Sequence, residues 1–259
     1  MQNDYQTQLI TLHDHAWLLK QRVAGYVTCL CLKTSAEMIR DVPNVSLLDI
    51  ENACKKIIKE YECKPTFKGY NGFPGAICLS VNQEIVHGIA NDYIVKDGDI
   101  VKVDVGVTYC GAIGDAAITV IKGKPKQYKH QELVDCCKKA LDLAIESVKV
   151  GRQMGIIGET IYRYARDTRF KLITAYGGHG IDEDMLHAHP FVENKSKSNL
   201  GVRIQPGMTF TIEPMLVIGD TKTTLGKNGW TISAKDMAAH FEHTLFIHED
   251  RVEILTAQV

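Results

Sequence analysis

Residues 101–121, VKVDVGVTYCGAIGDAAITVI, constrain the fold more than any other stretch, because two alternating apolar segments here each carry a carboxylate. Val101, Val103, Val105 and Val107 share one face at period two, leaving Lys102, Asp104 and Gly106 on the other. The second arm runs from Ala112 to Ile121, and the two arms read as a β-hairpin. With the turn centred on Tyr109 and Cys110, Asp104 and Asp115 stand directly opposite one another. Like charges opposed with Cβ atoms roughly 4.5–5.5 Å apart are destabilising. A divalent cation, or two about 3.5–4 Å apart, converts that repulsion into a binding site. The competing reading is a surface hairpin with two solvated aspartates.

A second stretch weighs against the surface hairpin. In PGMTFTIEPM the spacing from Gly207 to Glu213 repeats that from Gly98 to Asp104, giving turn, alternating strand and acid twice. His87-Gly88-Ile89 precedes the first device and His179-Gly180-Ile181 the second. Each half also carries a further acid downstream, Asp115 in one and Glu242 in the other. Any one match is ordinary turn chemistry. Their common order predicts two related halves facing a shared site.

Composition narrows the class. The chain has 259 residues, 45% of them hydrophobic and 24% charged, with a formal net charge of −1. This is enough apolar content for a sizeable core, without the basic stripe that would suggest specific nucleic-acid binding. No apolar run reaches a membrane span, and the opening MQNDYQTQ lacks a signal-peptide pattern, so a cytoplasmic location is expected. The cysteines show no Cys-x-x-Cys spacing and read as reduced, mostly buried thiols.

Along the chain, residues 8–32 show helical periodicity, with Leu9, Leu12, Ala16, Leu19, Val23, Val27 and Leu30 on one stripe. Pro43 ends that region, and Ser46 with Asp49 reads as a capping box for a second helix. Strands are expected at 77–81, 172–176, 208–217, around Trp230, and at 241–248 and 251–256. Further helices are expected at 130–149 and 157–169, and a long loop at 181–205. No linker divides the sequence, so residues 1–259 are expected to form a single domain. Helix pairs alternating with strands indicate the α+β class, with antiparallel sheet against helices.

Asp104, Asp115, His179, Glu213 and Glu242 combine four carboxylates with one imidazole. Two divalent cations would balance the four negative charges, and mostly oxygen ligands with one nitrogen suit Mn, Fe(II), Co or Zn. Flanking glycines leave the His179 ring free to coordinate. Glu242, in a predicted central strand, would be costly without a cation. The sequence has no His-Glu-x-x-His, Gly-x-Ser-x-Gly or Walker motif.

Together, VNQEIVHGIANDYIVKDGDIVKVDVGV, GDAAITV, YGGHGI, PGMTFTIEPM and FEHT resemble the methionine aminopeptidase family in its bacterial-type class I form, over about residues 15 to 256. The resemblance implies the pita-bread fold, a pseudo-twofold curved antiparallel sheet flanked by two helix pairs around a binuclear metal centre. The five residues named above match the family's metal ligands. His87 and His187 match its substrate-binding histidines, and Glu213 the glutamate that activates the nucleophilic water. Tyr70, Phe73, Cys78 and Trp230 fall where the family lines its methionine pocket. The implied substrates are N-termini of nascent polypeptides, met at the ribosome, with a small second residue, and the expected form is a monomer. The loop after His179 departs from the family pattern: Asp182 follows Ile181, Leu186 stands where an aromatic is usual, and the later motif is His187-Ala188-His189-Pro190. His189 therefore competes with His187 for its role.

Two other functions fit parts of the pattern. Proline-cleaving enzymes of the prolidase and aminopeptidase P group share the metal ligands but carry an additional N-terminal domain. A metal-free pita-bread peptide-binding module would have no need to keep all five ligands. The stretch between His187 and Glu213 is too short for the helical insertion of the class II methionine enzymes.

Overall fold

The computed structural model describes residues 10–257. Helix α1 (His15–Asp41) opens where Asp14 accepts the Trp17 N–H at 2.9 Å, satisfying an orphan donor of the first turn. It ends at Val42, which Pro43 holds in an extended conformation. The helix thus runs past the expected window, and of the predicted stripe Val27 is fully buried while Val23 and Leu30 are partly so. Leu12 and Leu19 are half exposed and Ala16 is exposed; Leu9 lies outside the described residues. The inward face carries Leu18, Gln21, Gly25, Thr28, Leu32 and Ser35. A Cβ on Gly25 would sit 2.3 Å from the Leu255 carbonyl oxygen, so the backbones meet closely there. Thr28 Oγ1 donates to Gly114 O at 2.8 Å, and Gln21 Nε2 to Ile113 O at 2.9 Å. Polar side chains are buried because they bond to the sheet, which hydropathy periodicity cannot register.

Helix α2 (Leu47–Glu60) begins with the expected capping box between Ser46 and Asp49. Strands β1 (Lys64–Pro65), β2 (Cys78–Val81) and β3 (Glu84–Val86) lead to the hairpin β4 (Ile100–Tyr109) and β5 (Ala112–Ile121). Helices α3 (Tyr128–Ser147) and α4 (Gly155–Arg166) follow, then β6 (Lys171–Leu172), β7 (Gly177–Asp182), β8 (Met185–Glu193), β9 (Thr209–Ile212) and β10 (Met215–Val217). The last strands are β11 (Thr224–Leu225), β12 (Ile232–Ser233), β13 (Ala238–His240), β14 (His243–Ile247) and β15 (Val252–Ile254). Strand β8, paired with β7, occupies part of the predicted 181–205 loop. Its alternation of exposed and buried positions is that of an edge strand. Pro214 interrupts the predicted 208–217 strand between β9 and β10.

All strand pairs are antiparallel. β4 is flanked by β1 and β2 on one side and β5 on the other, and a second sheet has the order β15-β14-β9-β7-β8. The valine face of β4 packs with Val27, Cys31, Ile39, Ile50 and Ile58 of α1 and α2. On the other side Leu133, Cys137, Leu141, Ile157 and Ile161 of α3 and α4 pack with Phe210, Ile212, Leu245 and Ile247. Helix pairs on the outside therefore leave the opposite faces of β4 and β9 to line a shared interior. Among the described residues no helix is long and apolar enough to cross a membrane.

The hairpin register differs from the expected one. Cys110 (φ 47°) and Gly111 (φ 84°) form a two-residue turn with both centres left-handed, the geometry whose twist matches a hairpin. Gly111 takes this conformation freely, so the turn centres one residue later than predicted. Asp104 then pairs with Ala117, and Asp115 with Gly106. The two aspartates are diagonal neighbours on one face rather than direct opposites.

Candidate active site

Strand β4 brings Asp104 and β5 brings Asp115 to the interior. Glu213 follows β9 directly. Glu242 lies between β13 and β14, bridged through its backbone to Ala117. His179 on β7 receives its orientation from two bonds: its N–H donates to Thr211 Oγ1 at 3.0 Å and Nδ1 lies 3.1 Å from Gly180 O. Its Nε2 is thereby aimed at the acids, 3.8 Å from Asp115 Oδ2 and 3.9 Å from Glu213 Oε1. All five residues predicted to hold metal converge. Asp115, His179 and Glu242 have donor atoms within 4.8 Å of one another.

The electrostatics call for a cation. Asp104 Oδ1, Asp115 Oδ1 and Glu242 Oε1 are buried with no hydrogen-bond partner among the described residues. No Lys or Arg among those residues forms an ion pair with the cluster; its ion-pair partners are histidines. Lys102 shares the Asp104 face of β4 but spends its ammonium on Asn82 O and Ile100 O. Burial pushes Asp104 and Glu213 above the usual carboxylate range, and Asp115 and Glu242 well above it, with their acidic neighbours adding to the last two. Burial also lowers His179 to about 3, with His187 contributing. An acceptor-only cluster with orphaned oxygens and a neutral imidazole fits divalent cations.

The acids form the floor of a cavity of about 480 Å³ that all the sequence-predicted site residues line. Phe73 and Trp230 meet edge to face, with ring centroids 5.2 Å apart. With buried Cys78 and partly buried Tyr70 they make an apolar wall. His87 adopts a left-handed backbone (φ 59°), beside Gly88, whose Cβ would lie 2.1 Å from Leu79 O. Burial, followed by the nearby His240 and His187, lowers His87 to about 4. His187 packs edge to face on His179 with centroids 4.4 Å apart, and its Nδ1 lies 2.8 Å from Tyr70 Oη. His187 and His189 both line the cavity and are exposed, but His189 has no side-chain hydrogen bond among the described residues.

Two parts of the sequence symmetry do not survive. His179 occupies the strand beside β9 as Ser80 occupies the strand beside β4, whereas His87 comes after β3, so the repeated His-Gly-Ile tripeptides are not equivalent. The sequence reading also missed His240, buried beside Glu213 and Glu242. Its alternation with Glu242 was the available signal.

The model of metallopeptidase family M24 matches residues 20–249. The chain belongs to that family. It is 38% identical over 250 residues to a methionine aminopeptidase of Mycoplasma capricolum, covering 96% of this chain and 98% of the relative. An Aquifex aeolicus methionine aminopeptidase is 38% identical over 258 residues, covering 95% and 98%. The crystal structure of a Thermotoga maritima methionine aminopeptidase superposes with a TM-score of 0.92 at 36% identity, covering 96% of this chain and all of that one. A Pyrococcus furiosus prolidase shares the fold, with a TM-score of 0.76 at 18% identity, but this chain spans only 68% of it. The M24 family and these neighbours agree with the expected pita-bread architecture.

Proposed function

We propose that the chain, acting as one catalytic domain over residues 1–259, removes the N-terminal methionine from nascent proteins and peptides whose second residue is small. The observation that carries this reading is the meeting, in one cavity, of an unneutralised acidic cluster and an aromatic wall. Asp104, Asp115, His179, Glu213 and Glu242 hold two divalent cations, with Co, Mn, Fe(II) and Zn as the candidates. When bound, the cations supply an acidified water as nucleophile and polarise the scissile carbonyl.

The chain's own groups do the rest. Glu213 takes the proton lost by the attacking water and passes it to the leaving amine. His87 and His187 are lowered by burial and so are neutral donors to the developing oxyanion. Tyr70 Oη lies 2.8 Å from His187 Nδ1, and with the hydroxyl as donor the His187 proton stands on Nε2. Phe73, Cys78, Trp230 and the Tyr70 ring enclose the methionine side chain, whose soft thioether suits an aromatic wall. The enzyme acts as a cytoplasmic monomer on N-termini at the ribosome, without membrane or specific nucleic-acid binding.

Comparing kcat/KM for Met-Ala-Ser, norleucine-Ala-Ser, Val-Ala-Ser and Met-Lys-Ser tests this reading. A methylene-sized change in an apolar pocket is worth only roughly 1–3 kcal/mol, so norleucine should remain usable. Val-Ala-Ser and Met-Lys-Ser should be poor. Equal rates for Met-Ala-Ser and Met-Lys-Ser, or a preference for valine, would refute the specificity.

A further inference from the structure

His240 ends β13 two residues before Glu242, so both side chains leave the same face of the chain. Its backbone is fixed on both sides by Thr119, whose Oγ1 accepts the His240 N–H at 2.9 Å and donates to its carbonyl at 2.6 Å. The ring is 1% exposed, and neither nitrogen has a hydrogen-bond partner among the described residues. Buried ring nitrogens are ordinarily paired.

What faces this ring is acidic. Nε2 lies 3.5 Å from Glu213 Oε2. A nitrogen of His240 and carboxylate oxygens of Glu213 and Glu242 all fall within 4.8 Å of one another. The other Glu213 oxygen, Oε1, lies 3.9 Å from His179 Nε2. The Glu213 carboxylate therefore stands between two imidazoles, one on each oxygen. Two donors bound tetrahedrally to one ion at about 2.1 Å are about 3.4 Å apart. The His240–Glu213 spacing matches that value. His240 does not line the substrate cavity, so it approaches the acids from behind.

Resting on the metallopeptidase reading, we propose that His240 is an additional protein ligand of the binuclear centre. His240 then adds a second imidazole beside Glu213 and Glu242, while Asp104, Asp115, His179, Glu213 and Glu242 remain the ligand set of the centre. A second nitrogen donor biases the centre toward Co, Ni or Zn over Mn or Mg.

Titrating the chelated full chain with Co(II) tests this, read by calorimetry and by proton NMR of protein carrying ¹⁵N-labelled histidine. At two equivalents the wild type should show two contact-shifted, solvent-exchangeable imidazole N–H signals. His240→Ala should lose one of them and bind one equivalent at least about 10-fold more weakly, while leaving the other unchanged. A single contact-shifted imidazole in the doubly loaded wild type would overturn the proposal, and this measurement stands even if the variant does not fold. Unchanged affinity for both equivalents in His240→Ala would overturn it too. A wild type that binds no Co(II) would remove the metallopeptidase reading together with the proposal, a result distinct from two bound ions with one imidazole.

Discussion

Ala117 and Glu242 exchange backbone hydrogen bonds, Glu242 N–H to Ala117 O at 2.9 Å and Ala117 N–H to Glu242 O at 3.3 Å. Around this bridge the two halves are related residue by residue. Thr119 meets His240, and Asp115 meets Thr244, whose Oγ1 accepts the Asp115 N–H at 2.9 Å and donates to the Asp115 carbonyl at 2.6 Å. Asp104 and Glu213 correspond, one on β4 and one directly after β9. Asp115 and Glu242 do not: the symmetry partner of Asp115 is His240, just as Thr119 is that of Thr244, and the partner of Glu242 is Ala117. The second acid of each half is thus an independent addition to a common frame.

Thr244→Val follows from this bridge. It preserves the side-chain shape but removes the hydroxyl that serves both backbone groups of Asp115 in a fully buried position. Leaving buried groups unsatisfied costs about 1–3 kcal/mol. The urea midpoint of the variant should fall by a corresponding amount with an unchanged slope. A midpoint equal to wild type would show that the Asp115 backbone finds other partners.

Metal removal should change the sign of the pH dependence of stability. Burial raises Asp104, Asp115, Glu213 and Glu242 in the metal-free protein. In the unfolded chain they ionise near their ordinary values of about 4, so above that pH the folded state holds more protons. Their contribution is fully present below about pH 4 and is lost as pH rises through the raised folded values. Cations need the ionised forms, so binding strengthens with pH and releases protons. Thermal unfolding of chelated and Mn(II)-loaded protein at pH 5 and pH 8 should give a larger metal-induced rise in Tm at pH 8. An equal rise at both would contradict the assignment.

Much of this site was legible because carboxylates in alternating apolar strands are conspicuous. Asp104 and Glu213 stood out for that reason, and their shared distance from a glycine turn exposed the duplicated frame. The register was less legible, since choosing between Tyr109–Cys110 and Cys110–Gly111 depends on which residue accepts a left-handed backbone. The inward face of α1 was misread in part because Gln21 and Thr28 are buried by hydrogen bonds rather than hydropathy. His240 was missed because a histidine in an apolar segment has the same pattern whether it packs or binds.

The histidines should separate by role. His87→Ala and His187→Ala should keep bound metal, measured by elemental analysis, yet lose about 10²–10³ in kcat, as expected for lost oxyanion donors. His189→Ala should change kcat far less, because the contacts with His179 and Tyr70 are made by His187 and not by His189. Loss of metal from His87→Ala, or a larger defect in His189→Ala than in His187→Ala, would reverse these assignments.

The most direct measurement is cleavage of Met-Ala-Ser and of an Ala-Pro peptide by the chelated full chain, before and after adding Co(II) or Mn(II). The account predicts no turnover of either peptide without metal, and rapid release of methionine from Met-Ala-Ser alone once metal is restored. Undiminished cleavage of Met-Ala-Ser at undetectable metal, or metal-restored cleavage confined to the Ala-Pro peptide, would contradict it.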